Sequence, residues 1–195
     1  MKKLDVILIN YDEVDINRYF YSDYLSNEDR KSFDKYTHPG VKKEKIVSLY
    51  LKRKYIINFY IDENGKPLSD EKCFNISHSH GLIALVIDIV PVGIDVELVR
   101  KSDDSLKDFI SSKEEREYIN DDKSFFEVWT NKEALVKAYG LGIREDIKNI
   151  PSLPLNGTRV YKSNFYINKT IMYNNCIITV SRQSDEDYEI NLIGD

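Results

Sequence analysis

The chain reads as an α+β protein of two similar halves. Two observations predict this: a helical stretch followed by short alternating strands occurs in the first hundred residues, and the same order recurs in the second hundred. A length of 195 residues with 42% hydrophobic content supports one sizeable core or two small ones packed together. We place the halves at 1–100 and 101–195, each with helices packed on a small antiparallel sheet.

The elements follow in order. Lys3 to Asn10 is a first strand. It superficially resembles a signal peptide, but Asp5 interrupts the apolar stretch, which is too short and has no small-residue cleavage site. Ser26-Asn27-Glu28-Asp29 has the form of a helix N-cap. A longer helix is expected from about Val41 to Tyr60, with Ile46, Leu49, Tyr50, Arg53, Ile57 and Tyr60 on one face. Gly65 and Pro67 punctuate the loop after it. Strands are expected near Phe74 to Ile76, Leu82 to Ile89 and Val92 to Glu97, with Pro91-Val92-Gly93 turning the chain into the last.

In the second half, Ser111 and Ser112 have Glu114 and Glu115 three residues on, two candidate helix starts. A helix from about Ser124 to Tyr139 is apolar at Phe125, Trp129, Leu135 and Val136, and Gly140 is a natural C-cap. Strands are expected near Thr158 to Ile167, Thr170 to Tyr173, Ile177 to Arg182 and Tyr188 to Ile193. Tyr173-Asn174-Asn175-Cys176 reads as a hairpin turn.

Composition narrows the function. No apolar run is long enough to span a bilayer. Two cysteines, Cys73 and Cys176, form neither a disulfide framework nor a metal cluster and favour a reducing cytoplasmic setting. A net charge of −5 argues against general nucleic-acid binding. Lys42, Lys43, Lys45, Lys52, Arg53 and Lys54 nevertheless crowd one helix, ordinarily a solvated face.

Two acidic strings carry the chemistry. In Val92-Gly93-Ile94-Asp95-Val96-Glu97, strand alternation projects Asp95 and Glu97 from one face. In Trp129-Thr130-Asn131-Lys132-Glu133-Ala134-Leu135-Val136-Lys137, Lys137 lies one helical turn beyond Glu133 on the same side. Lys132 points about 100° away from Glu133, as suited to a salt bridge as to a phosphate. Either string alone is ordinary surface decoration. Converging, three carboxylates with lysines beside them suit a hard divalent cation bridging to a phosphate-bearing substrate.

With Gly65-Lys66-Pro67 and Phe74-Asn75-Ile76-Ser77-His78-Ser79 upstream, the four strings in this order resemble the 4'-phosphopantetheinyl transferases of the larger, surfactin-synthetase-activating type. The resemblance is strongest from Gly65 to Gly140. It implies two pseudo-symmetric halves in a cytoplasmic monomer with the active site in the cleft between them. It also implies Mg²⁺-dependent transfer, with Mn²⁺ as a substitute, of the phosphopantetheine arm of coenzyme A to a serine of an apo acyl or peptidyl carrier protein. On the matching positions, Asp95, Glu97 and Glu133 are the metal ligands, Glu133 the candidate general base and Lys137 a phosphate contact. Lys66, Pro67, Ser77 and His78 join Asp95, Glu133 and Lys137 in binding the coenzyme. Lys43 and Lys45 compete for the 3'-phosphate, and His80 and His38 receive no role. Two other readings compete: a module that kept the fold and lost catalysis, and a metal-dependent nuclease, for which the lysine lies on the wrong side of Glu133.

Overall fold

A computed structural model describes residues 1–63, 65–140 and 147–195. Two four-stranded sheets pack against each other, and each carries helices on its outer face. The first sheet has the order β10 (Tyr188–Gly194), β1 (Lys2–Asn10), β5 (Leu82–Asp88), β4 (Cys73–Ser79). The second has the order β6 (Val92–Leu98), β9 (Cys176–Gln183), β8 (Asn164–Tyr173), β7 (Gly157–Tyr161). A two-stranded ribbon pairs β2 (Tyr60–Ile61) with β3 (Pro67–Leu68). The helices are α1 (Ile16–Phe20), α2 (Asn27–Ser32), α3 (Pro39–Tyr55), α4 (Asp104–Ile110), α5 (Lys113–Tyr118) and α6 (Asp122–Tyr139).

Strand alternation builds the layers. Leu4, Val6 and Leu8 of β1 and Leu82, Ala84 and Val86 of β5 face inward, where they meet Val92, Ile94, Val96, Ile178 and Val180 of the second sheet. The odd set, including Ile7, Ile9, Ile83 and Leu85, faces outward to Val47, Tyr50 and Leu51 of α3. In the second lobe Phe125, Val128, Leu135 and Val136 of α6 cover Tyr166 and Ile177. The result is the expected α+β architecture of two lobes, one long helix to each.

Sheet membership crosses residue 100 in both directions. β6 leaves the first lobe to pair with β9, and β10 returns from the second lobe to pair with β1. The β1–β10 pairing is parallel, so the first sheet is mixed rather than purely antiparallel. A C-terminal strand arriving from another sheet is under no hairpin constraint and is free to pair either way.

Local boundaries differ where propensity competes with caps. The long helix starts at Pro39, with His38 accepting from Val41 N–H, and ends before Ile56, so Ile57 and Tyr60 lie outside it. Ser112 caps α5 in a reciprocal box with Glu115, whereas Ser111 closes α4. The strand expected over 158–167 is two: Lys162 and Ser163 take φ of 49° and 66° and turn the chain from β7 into β8. Neither residue is a customary left-handed turn former, whereas Asn174 and Asn175, at 46° and 61°, are.

Three devices fix α6 against the second sheet. Gly93 of β6 lies so close that a Cβ there would sit 2.1 Å from Ala134 O and 2.4 Å from Ala138 N. Thr130 and Asn131 enter a buried polar network, with Thr130 Oγ1 2.8 Å from Thr179 Oγ1 and Asn131 Nδ2 donating to Thr170 Oγ1 at 2.7 Å. Lys132 is wholly buried: its Nζ lies 2.7 Å from Glu115 Oε2 and donates to Ile147 O and Ile150 O. This lysine holds α5 and the 147–150 turn to α6.

Two predictions follow from this packing. Gly93→Ala should cost about 3 kcal/mol, the upper end for overpacking, because backbone atoms meet the added methyl and neither side can yield. Lys132→Met should cost about 3 kcal/mol, since it removes the cation from the buried Glu115 carboxylate and leaves it only the hydrogen bonds from Ser112 and Ser152. Urea unfolding midpoints check both; losses below about 1 kcal/mol would refute the assigned constraint.

Candidate active site

The site begins with an edge. β6 pairs with β9 on one side only, so the N–H groups of Ile94, Val96 and Leu98 point away from the sheet. Side chains of β4 take them: Asn75 Oδ1 accepts from Ile94 at 3.0 Å, Ser77 Oγ from Val96 at 3.2 Å and Ser79 Oγ from Leu98 at 3.2 Å. Each serine also donates its one proton to a carboxylate, Ser77 to Asp95 Oδ1 at 3.0 Å and Ser79 to Glu97 Oε2 at 3.2 Å. The alternation that brings Asp95 and Glu97 to one face is thus locked by an equally spaced pair of hydroxyls.

α6 supplies the rest. Lys137 Nζ lies 2.6 Å from Asp95 Oδ1 and 3.4 Å from Ser77 Oγ. Asp95 is 4% exposed, and its Oδ2 has no hydrogen-bond partner among the described residues. Burial pushes its carboxyl above the ordinary range, with Lys137 pulling it back and Glu97 pushing further. Burial likewise raises Glu133; Lys137 opposes, and Asp95 and Glu97 add repulsion. Arg100 closes the far end, its Nη1 2.9 Å from Glu97 Oε2 and its guanidinium over the Phe126 ring.

Asp95 and Glu97 are therefore close enough to oppose the ionisation of Glu133, and Glu97 that of Asp95. Among the described residues, however, no three His, Cys, Asp or Glu side chains are arranged to hold a metal ion as they stand. Their donor chemistry fits a hard divalent cation: all-oxygen donors, a buried orphan oxygen on Asp95 and mutual repulsion that a cation would relieve.

The remaining expected residues divide between two places. Lys66 Nζ donates to Lys137 O in the last turn of α6 at 3.2 Å, where a cation complements the helix dipole, and burial lowers its pKa. With Pro67, Lys72, Cys73 and Tyr139 it lines a cavity of about 230 Å³. His78 is separated from Ser77 by the strand itself. It falls opposite Ile83 on the helix-bearing face, with Nε2 3.2 Å from Glu44 Oε1. Burial holds its pKa below the usual imidazole value. Of the two lysines competing for a 3'-phosphate, Lys45 reaches Glu44 at 2.8 Å, and Lys43 lines a groove between α1 and α3. Much of the basic cluster on α3 is neutralised locally: Lys42 by Asp34, Arg53 by Asp29 and Lys54 by Asp195.

Sequence reasoning gave no role to Asn75, Ser79, Glu44 or Arg100. Asn75, Ser77 and Ser79 alternate, the one signal that could have marked a strand face of bridging side chains. Glu44 and Arg100 carried no signal, because both meet the site through tertiary placement.

Comparison with known proteins identifies the family. A family model, the 4'-phosphopantetheinyl transferase superfamily, matches residues 91–192, more than half of the chain. The 4'-phosphopantetheinyl transferase Gsp of Aneurinibacillus migulanus is 31% identical over 144 residues, 64% of this chain and 60% of the relative. The transferase Sfp of Bacillus subtilis is 34% identical over 114 residues, 53% and 47% of the two chains. A putative 4'-phosphopantetheinyl transferase of Haemophilus influenzae is 32% identical over 104 residues, 47% and 44%. The matched stretches span about half the length of these relatives. The strand bearing Asp95 and Glu97 and the helix bearing Glu133 and Lys137 both lie within the family match, and the chain belongs to the 4'-phosphopantetheinyl transferase superfamily.

Proposed function

We propose that the chain transfers the 4'-phosphopantetheine arm of coenzyme A to a serine hydroxyl of an apo acyl or peptidyl carrier protein, releasing adenosine 3',5'-bisphosphate. Beyond family membership, the observation that supports this most is the buried Asp95, with one oxygen held by Lys137 and Ser77 and the other without a partner among the described residues, beside Glu97 and Glu133. Such a centre suits a polyanion bridged by a cation.

Asp95, Glu97 and Glu133 would hold Mg²⁺ or Mn²⁺. When bound, the cation supplies charge neutralisation to the pyrophosphate and its departing half. Lys137 stands ready to contact phosphate as a mobile point charge once Asp95 is otherwise satisfied. The carrier serine oxygen attacks the phosphorus bearing the pantetheine arm, its proton passes to Glu133, and the bridging oxygen leaves with the bond pair on the adenosine bisphosphate. Glu133 accepts that proton directly or through a water, as a positioned carboxylate within reach of the attacking hydroxyl. Positioning and electrostatics supply most of the acceleration, with no covalent enzyme intermediate.

No described helix is long and apolar enough to cross a membrane. We place the reaction in the cytoplasm and assign it to a monomer, since both walls of the site come from one chain. The carrier docks beside α6, where its serine reaches Glu133. The pairing of basic residues along α3 leaves that helix a lesser part in attracting an acidic partner.

Incubation of apo carrier proteins with coenzyme A and Mg²⁺ should add one phosphopantetheine by intact mass, and wild-type failure across a broad carrier panel would refute the proposal. Asp95→Ala should cut turnover by at least about a hundredfold. Near-normal rates at limiting Mg²⁺ would remove Asp95 from the ligand set.

Glu133→Gln should separate function from stability. A carboxyl whose proton affinity rises on folding binds more protons in the folded chain than in the unfolded one, so its contribution to stability falls as pH rises through that range. Ionised Glu133 is therefore a net cost at neutral pH without a cation. The variant should lose about a hundredfold in turnover yet gain a few degrees in Tm at pH 7, with the gain shrinking toward pH 4. A lower Tm at pH 7 would show that Glu133 is held by attraction rather than crowded.

A further inference from the structure

Ser77 and His78 are consecutive, and β4 sends them to opposite faces. Ser77 turns inward to Asp95 and Lys137. His78 turns outward to α3, where one oxygen of Glu44 takes both its ring nitrogen, at 3.2 Å, and Lys45 Nζ, at 2.8 Å. The Glu44 side chain is 13% exposed, while the imidazole is 45% exposed. An acidic oxygen thus rests on two nitrogen groups at an open edge of the site, the arrangement a phosphate oxygen would seek there.

This inference rests on the transferase reading. Coenzyme A carries a pyrophosphate, which must lie at Asp95 and Lys137 to react, and a 3'-phosphate monoester, which bears more charge. A coenzyme laid across the end of β4 puts its pyrophosphate on the Ser77 face and its monoester on the His78 face. We propose that Glu44 is a tethered competitor for the 3'-phosphate. In the free protein its carboxylate holds His78 and Lys45, and the incoming phosphate must displace it.

Repulsion from Glu44 offsets most of what Lys45 contributes, because like charges at this separation oppose each other about as strongly as opposite ones attract, and His78 adds a hydrogen bond rather than a full charge. The chain therefore discriminates weakly between coenzyme A and 3'-dephospho-coenzyme A, and the dephospho form is a usable donor. Glu44 is here a specificity-determining residue; it touches no reacting atom.

The test is calorimetric binding of both coenzymes, in Mg²⁺, to the wild type, Glu44→Gln and Glu44→Asp, with phosphopantetheine transfer followed in parallel. Glu44→Gln should raise the preference for coenzyme A over its dephospho form by about fivefold to tenfold. Glu44→Asp, which keeps the charge, should stay within about twofold of wild type. Adding His78→Ala to Glu44→Gln should remove the gained preference. A merely structural Glu44 would change affinity for both coenzymes alike, and an unchanged preference in Glu44→Gln overturns the proposal. Transfer with unchanged preference leaves the transferase reading standing and this inference refuted. The expected preference without transfer to any carrier does the reverse. Failure of wild type and Glu44→Gln to bind either coenzyme refutes both.

Discussion

The structure depends on how one exposed sheet edge is satisfied. β6 presents three N–H groups away from its sheet, and an open edge of that kind is a liability unless something covers it. Here the cover is a row of side chains from the neighbouring lobe, Asn75, Ser77 and Ser79. A backbone ladder would have merged the two sheets into one. Side-chain acceptors instead let the lobes meet with strand edges side by side, leaving the hydroxyl protons to turn toward Asp95 and Glu97. The joint between lobes and the support of the acidic centre are the same set of bonds.

That arrangement carries a charge problem. Asp95 is buried, Glu97 presses on its ionisation, Asp95 and Glu97 both press on that of Glu133, and one lysine offsets them. An uncompensated buried carboxylate is costly, and the fold tolerates this one because Gly93 lets α6 approach β6 closely enough for Lys137 to reach Asp95. The packing that α6 needs and the electrostatics that Asp95 needs are thus met at one contact. A larger residue at 93 would push the helix back and separate the pair.

The legible and illegible parts of the chain divide along physical lines. The apolar runs of β1, β5 and β9, the Asp-Val-Glu alternation of β6 and the Gly140 cap of α6 are local signals, so the elements bearing Asp95, Glu97, Glu133 and Lys137 were readable. The resemblance of four short strings to a known family then supplied their roles. Sheet membership was not readable: nothing in Val92–Leu98 says that its partner is β9, and nothing in Tyr188–Gly194 says that it pairs parallel with β1. The turn at Lys162 and Ser163 was invisible because both residues adopt a backbone that their side chains do not advertise. Glu44 was hidden among lysines on a helix that composition alone makes look uniformly basic.

The two lysines of α6 show why residue identity underdetermines role. Lys132 and Lys137 flank Glu133, carry the same ammonium and sit on the same helix, five positions apart. Five positions at about 100° each leave the two side chains about 140° apart, so they do not share a face. Lys137 lies one turn from Glu133 and reaches Asp95 across the thin contact at Gly93. Lys132 lies on the side where α5 and the 147–150 turn close over the helix, and it is fully enclosed with Glu115. A buried, fully engaged ammonium is fixed in place and cannot follow a substrate, whereas Lys137 holds Asp95 through a single contact at a partly open site. Exchange of that contact for a phosphate is available to Lys137 and closed to Lys132, and helical phase, rather than charge, separates the lysine that can meet a ligand from the one that anchors the lobe.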